Sequence, residues 1–469
     1  MNYGISVPKP KPRILNSVRV SLHGSNQDYT VGSINRSILM LAIPMAVEGI
    51  LQSLFDVVDL FWVGRLGANG VAAIGLTESL LAVVFAVGLG LSLSTTAVVA
   101  RRIGEKLPGE AAIAAVQAIQ LGLLISMALG ICGGMAAPEL LRATGASASV
   151  VTMGANYSRI ALGGCGAIVI LLLNNAILRG AGDAALAMRI MWISNGVNMV
   201  LAPCLIFGWG PFPRFGVAGA ALATLAARLF GILCQTFWLM RGTGRIRILG
   251  TPFRFHPAVL QRLLRLSLPG IVQFTVINAS WIVLVRIVAL NGAPAVASYT
   301  VSILIFFLMP AWGLSNAAAT LVGQNLGAGQ PDRAEQIVWR AGFFNMLFLG
   351  VLGAFLFVFA TPLVRIFLDD PEVASNAAVI LRILVCGNIG YAQAVVILQA
   401  FNGAGDTLTP LIVNFLGFWI LEIPLAWWLA SQERLGAQGV SLSIVLTEFA
   451  IASISVLLFR RGRWKSQLV

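Results

Sequence analysis

The sequence predicts an all-α polytopic membrane protein with twelve transmembrane helices in two pseudo-symmetric six-helix lobes. Three observations carry that prediction. The chain has 469 residues, of which 58% are hydrophobic and only 10% charged, whereas a soluble domain holds about 45–50% apolar and about 25% charged residues. Twelve continuous apolar runs are each long enough for the roughly 20 residues a spanning helix needs. The second half of the chain also repeats the first at a nearly constant offset. Five Cys in this length exclude a disulfide scaffold, and continuous rather than alternating runs argue against a β-barrel.

Taken in chain order, residues 1–35 are polar and Pro/Lys-bearing, with no apolar stretch before Ile38. They read as a disordered cytoplasmic tail without a cleavable signal peptide. The apolar runs then fall at 38–63, 71–99, 112–137, 152–177, 186–208, 216–239, 266–290, 295–322, 337–361, 375–400, 408–430 and 437–459. Internal Gly and Pro are compatible with spans, because neighbouring helices satisfy the freed backbone groups. With a cytoplasmic N-terminus, 22 Lys and Arg fall in inside segments and 5 in outside segments. This follows the positive-inside rule and places both termini in the cytoplasm. The net charge of +13 is therefore a topology signal and an attraction to anionic lipid. Spread over short segments, it is not a nucleic-acid patch.

Pro44 and Pro269 begin matching segments, LAIPMAVEGILQ and LSLPGIVQFTVI, at an offset of 225; RGAGD (179–183) and NGAGD (402–406) match at 223. The expected units are a six-helix lobe over 36–240, a basic cytoplasmic linker over 241–261, a second lobe over 262–460 and a tail over 461–469. Six spans per lobe put both repeats on the same side, with the symmetry axis along the membrane normal. That is a transporter arrangement, with a site between the halves and alternating access by rocking.

Ionisable side chains inside spans are costly and are functional candidates by default. Glu48, Gln52, Asp56 and Asp59 fall within about 80° of one helix face at 100° per residue, forming a polar stripe on an apolar helix. Such a carboxylate can bind and release a proton or hold an alkali cation; the bland alternative is a stripe satisfied by neighbouring helices. Asn195 and Asn198 in the fifth run and Thr224 in the sixth are neutral oxygen donors able to complete a site around Asp59, or helix-packing hydrogen bonds. Gln52, Asn174 and Asn175 are candidates to line a cavity. Arg228 is a candidate counter-charge, while Glu422, Glu448 and Arg286 read as structural pairing in the second lobe. Asp183 and Asp406 are placed to cap the helices that follow. Enzyme chemistry finds little support: His23 and His256 lie outside the runs, and no GxxxxGK[ST] phosphate loop is present. No cofactor is expected.

The segments VDLFWVGRLGANGVAAIG (58–75), LVGQNLGAGQPDRA (321–334), LRGAGD (178–183) and FNGAGDTLTP (401–410) together resemble the multidrug and toxic compound extrusion (MATE) family of secondary transporters, in register over about 36–460. The resemblance implies a central cavity between two lobes and efflux of drugs or organic cations driven by inward H⁺ or Na⁺. Asp59 matches the family's first-span coupling carboxylate. Asn198 and Thr224 match neutral members of a cation site in the prokaryotic branch that couples through its N-terminal lobe. Gln52 and Asn175 match cavity positions, and Glu48, on the same stripe as Gln52, is expected to line the substrate cavity with them. Ala202 stands where that branch often carries an Asp. The cation cage thus lacks one carboxylate, which favours H⁺ over Na⁺ at Asp59, Asn198 and Thr224. The expected protein is a monomer in the inner membrane whose partners are a small-molecule drug or organic cation and membrane lipid. The alternative is a flippase or exporter of a lipid-linked or metabolite cargo on the same architecture.

Overall fold

The computed structural model describes residues 20–22, 24, 27–242, 245–307, 312–432 and 435–467. Helices of the first half are α1 (Ile34–Gly64), α2 (Ala68–Gly104), α3 (Pro108–Met135), the short α4 (Ala137–Ala143), α5 (Ala148–Gly163), α6 (Gly166–Ala181), α7 (Ala184–Phe207) and α8 (Val217–Arg241). Those of the second half are α9 (Pro257–Ala289), α10 (Ala293–Phe307), α11 (Trp312–Gly327), α12 (Pro331–Val364), α13 (Pro371–Cys386), α14 (Asn388–Ala404), α15 (Leu408–Asn414), a π-helical stretch over Phe415–Glu422, α16 (Ile423–Ala430) and α17 (Gly436–Arg460). Among the described residues ten helical stretches are long and apolar enough to cross a membrane, and the pair α13–α14, bent by 48°, makes an eleventh. The eighth expected run is carried by α10 and α11; residues 308–311 between them lie outside the described residues.

Helix ends follow local chemistry. α3, α9, α12 and α13 each begin with Pro in the first turn, where its missing N–H costs nothing. Asp370 caps α13 by accepting from the backbone N–H of Glu372 and Val373. Asp406 accepts from the Thr409 N–H at 3.1 Å, as expected of a cap. Asp183, by contrast, makes no capping bond to α7.

The two halves interlock through their first helices. The first part of α1 (Ile38, Leu41, Met45) packs in one cluster with Ala318 and Val322 of α11, Val338 of α12 and Phe401 of α14. The later part of α1 hydrogen-bonds to α7 in its own half. α9 does the converse. Leu263 and Leu266 pack with α2, α3 and α6, and Ser267 Oγ lies 2.7 Å from Ser94 Oγ. Its later residues Leu284 and Val288 pack with α10, α13 and α17. Pro44 and Pro269 lie inside these two helices, where each removes a ladder hydrogen bond.

At the end of the molecule that carries the linker, the halves are in backbone contact. A Cβ on Gly104 would lie 2.0 Å from the Gln324 carbonyl oxygen, and one on Gly327 would lie 2.2 Å from that of Arg101. Gln324 Nε2 also donates to the Gly180 carbonyl at 2.9 Å. Only glycine permits so close an approach of α2 and α11.

The segment expected as a disordered tail contains an ordered strap over 27–33. Tyr29 is 3% exposed and lies under the Arg245 guanidinium, 4.7 Å from its ring centre. Arg245 donates to the Gln27 carbonyl at 2.5 Å, Arg333 donates to the Gly32 carbonyl at 3.0 Å, and Asp28 pairs with Lys106. The strap thus touches both halves. Burial pushes the Asp28 carboxyl up, but the Lys106 ammonium and the Thr30 hydroxyl and amide outweigh it and hold the group down at about 2. Beyond α17, Trp464 is fully buried and stacks on Phe459 with ring centres 4.6 Å apart, so the expected C-terminal tail begins with a packed turn.

Candidate functional site: a cavity between the halves

A cavity of about 820 Å³ runs from Glu48 and Arg179 near the closed linker end to Trp62, Val63 and Ile206 at the other end of α1. Glu48, Gln52, Asp59, Asn175, Asn198 and Thr224 all line it. The stripe on α1 is therefore a cavity wall, and the Asp56 side chain lies outside the described residues.

Asp59 is held by α7. Asn198 Nδ2 donates to Asp59 Oδ1 at 3.1 Å and to Oδ2 at 2.9 Å. Two turns earlier on α1 and one turn earlier on α7, Asn195 Nδ2 donates to Gln52 Oε1 at 3.0 Å. This spacing repeats the helical period, so two amide rungs fasten α1 to α7. Asn198 Oδ1 is buried without a partner, leaving a neutral oxygen beside the carboxylate. Thr224 lines the cavity and donates to the Ala220 carbonyl of its own helix at 3.1 Å. Ala202 sits among Ile206, Ala223 and Trp62, so the place of the absent carboxylate is apolar.

A third carboxylate of the cavity comes from another helix. Glu78 of α2 lines the cavity and accepts from the Tyr157 hydroxyl at 3.4 Å, and Tyr157 lies within the fields of Glu78, Arg228 and Asp59. Sequence reasoning missed Glu78 although it stands inside the second apolar run, a position that marks any ionisable residue as a candidate.

At the lower end, Glu48 forms an ion pair with Arg179 of α6. Arg179, assigned from sequence to an inside segment, is thus a cavity residue. It lies on α6 before the Gly182 turn, one face inward, and finds its counter-ion across the helix packing. Asn175 is buried and its Oδ1 accepts from Gln235 Nε2 at 2.9 Å. In the second half, Glu422 is 2% exposed while Arg286 is exposed. Among the described residues no ion pair joins Arg286 to Glu422 or Glu448, so the expected structural pairing is not formed. Glu422 has Glu448 as its charged neighbour instead.

The MatE family model matches the chain twice, over residues 44–204 and 269–428. The two matches start 225 residues apart, the offset that pairs Pro44 with Pro269. The chain is 26% identical over 442 residues to the "Probable multidrug resistance protein NorM" of Thermotoga maritima, covering 94% of this chain and 95% of that protein. It is also 26% identical over 420 residues to an "FAD transporter" of Shewanella oneidensis, covering 88% and 92%. A solved structure described as the outward-facing conformation of a multidrug resistance MATE family transporter superposes with a TM-score of 0.87 at 27% identity, covering 94% of this chain and 98% of that one. With two apolar repeats, a cavity between them and the family match over both, the chain belongs to the MATE family of membrane transporters.

Proposed function

We propose that the protein is a cation-coupled antiporter that exports drugs or organic cations by alternating access, with Asp59 as the coupling residue and H⁺ favoured over Na⁺. The observation that carries this reading is Asp59 in the cavity wall with both oxygens held by Asn198. A proton on Asp59 removes one acceptor of that rung and loosens α1 from α7. A bound organic cation is held by the same charge. Proton and cargo therefore weaken each other, as coupling between two ligands requires. Na⁺ at Asp59, Asn198 and Thr224 is the less favoured ion, because Ala202 supplies no second carboxylate. With the linker and both termini in the cytoplasm of a cell with an inner membrane, the seam at Gly104 and Gly327 closes the cytoplasmic side and the cavity faces outward. The reading takes the protein as a monomer surrounded by lipid.

The test is accumulation of a fluorescent organic cation in inverted vesicles, the equivalent of export from the cell, with a pH gradient and a Na⁺ gradient imposed separately. Export driven by the pH gradient and lost in Asp59→Asn supports the proposal. Export by Asp59→Asn at the wild-type rate and equal protein level refutes it. The kinship with an FAD transporter favours a second reading, export of a flavin or other metabolite, which the same vesicles check with the flavin supplied outside.

A further inference from the structure

Below the main cavity, and sharing Asn175, Arg179, Trp312 and Asn316 with it, lies a smaller recess of about 80 Å³ between α2 and α6 of the first half and α9, α11 and α14 of the second. On the order of 10–15 Å³ of such space holds one water, so the recess admits a head of about five to eight heavy atoms. Its polar lining is oriented by hydrogen bonds. Gln235 Nε2 occupies Asn175 Oδ1 at 2.9 Å. Asn402 Nδ2 donates to Gln399 Oε1 at 2.9 Å, and Gln399 Nε2 in turn donates to Asn316 Oδ1 at 3.3 Å. With their carbonyl oxygens taken, Asn175 and Asn316 keep amide N–H groups for the space they line.

Two further groups point the same way. Arg179 Nε is buried without a partner, while its terminal nitrogen is held by Glu48. Thr320 is fully buried, lines the recess and has a hydroxyl without a partner. Donors thus converge from both halves: Asn175 and Arg179 from one, Asn316 and Thr320 from the other. Asn402 Oδ1 is a buried acceptor without a partner at the same place, suited to the hydrogen of a carboxylic acid or a bridging water. Unfilled buried donors cost free energy that a ligand oxygen recovers.

We propose that this recess is a subsite for a carboxyl group, so that the preferred cargo is an elongated zwitterion. Its carboxyl head sits between the halves, and its cationic end lies towards Asp59 and Glu78. Glu48 and Asp59 are eleven positions apart on α1, roughly 16 Å at 1.5 Å per residue, which sets the length of such a molecule. The cationic end rests on the export reading above, whereas the carboxyl head rests on the recess alone.

The test is equilibrium binding to the purified full-length protein of two probes matched in chain length, undecyltriphenylphosphonium and (10-carboxydecyl)triphenylphosphonium. The first has no hydrogen-bond acceptor. The wild type is expected to bind the carboxylated probe about tenfold more tightly, the yield of a charge-assisted head contact. Asn316→Asp replaces a donor by an acceptor at constant shape, and the affinity ratio is expected to fall to about one or below. Thr320→Val, which removes only the hydroxyl, is expected to lower the ratio by part of that amount. No preference in the wild type, or a ratio unchanged in Asn316→Asp, overturns the proposal. Vesicle transport of either probe is measured in parallel. If neither moves, the export reading fails while the binding ratio still decides the recess.

Discussion

The backbone contact between α2 and α11 gives a direct handle on the conformational equilibrium. In Gly104→Ala the new Cβ would lie 2.0 Å from the Gln324 carbonyl oxygen and 2.9 Å from its Cα. Ordinary contact begins near 3.4 Å, so the two helices must part by about 1.4 Å, and the obstacle is backbone, which no rotamer change relieves. Overpacking of this kind costs about 1–3 kcal/mol. The strain exists only while the halves touch at this end, so it is relieved when they separate rather than when they unfold. At 1.4 kcal/mol per tenfold, the closed-seam state loses about 5- to 150-fold in population. Spin labels at Glu110 on α3 and Asp332 on α12, in a background lacking the exposed Cys132 and Cys386, report the separation at the linker end. A new longer-distance population is expected in Gly104→Ala. It is not expected in Gly109→Ala, where the added methyl meets nothing within 4 Å. An unchanged distance distribution in a folded Gly104→Ala protein would show that this seam does not hold the halves together.

Two other perturbations follow from ion pairs, one in the cavity wall and one in the strap. Arg179→Met leaves Glu48, whose Oε2 is already buried without a partner, with no counter-ion. Thermal unfolding should show a loss of about 1–3 kcal/mol, below the range for a fully buried pair because Arg179 keeps 25% side-chain exposure; Glu48→Gln added to it should restore part of the loss. The strap gives a pH signature. The Asp28 carboxylate is held at about 2 against a usual 3.8, and a depressed carboxyl contributes stability above its unfolded value. Protection of the Thr30 amide from hydrogen exchange, corrected for intrinsic rate, should therefore be flat from pH 8 to 5 and fall between about pH 4 and 2; Asp28→Asn should abolish that step.

The sequence made the span pattern and the duplication legible because both are one-dimensional signals. Apolar run length follows from bilayer thickness, and a shared offset survives without any knowledge of packing. The stripe on α1 was legible for the same reason, since Glu48, Gln52 and Asp59 are related by helical period alone. Partners were not. Gln52 meets Asn195 and Asp59 meets Asn198 because α1 and α7 lie side by side in register, which no spacing within either helix reveals. Arg179 was assigned to a loop by the positive-inside count, since a charge near a span end looks the same whether it turns towards water or reaches Glu48. Glu78 stood in plain view inside an apolar run, but its role depends on Tyr157 of α5. Asn316 and Thr320 are ordinary polar residues of a Gly- and Ala-rich stretch, and become distinctive only when α11 faces α6.

The crossing of α1 and α9 constrains how the two halves can move. An element packed half in one unit and half in the other cannot stay packed in both when those units separate. Opening at the linker end must either draw Ile38, Leu41 and Met45 out of the second half's core or bend α1 above them. Each buried Leu, Ile or Met side chain is worth about 1.5–3 kcal/mol, so drawing out all three costs far more than a bend. Pro44 already breaks the hydrogen-bond ladder inside this anchored stretch, ahead of Gln52, and Pro269 breaks that of α9 between Leu266 and Leu284. A Cβ on Gly313 would lie 2.6 Å from the backbone of Ala46, so α11 grips α1 just beyond Pro44. The less costly movement therefore leaves the first turns of α1 anchored and swings the segment carrying Gln52 and Asp59. That is the segment fastened to α7 by the two amide rungs, one of which ends on the carboxylate.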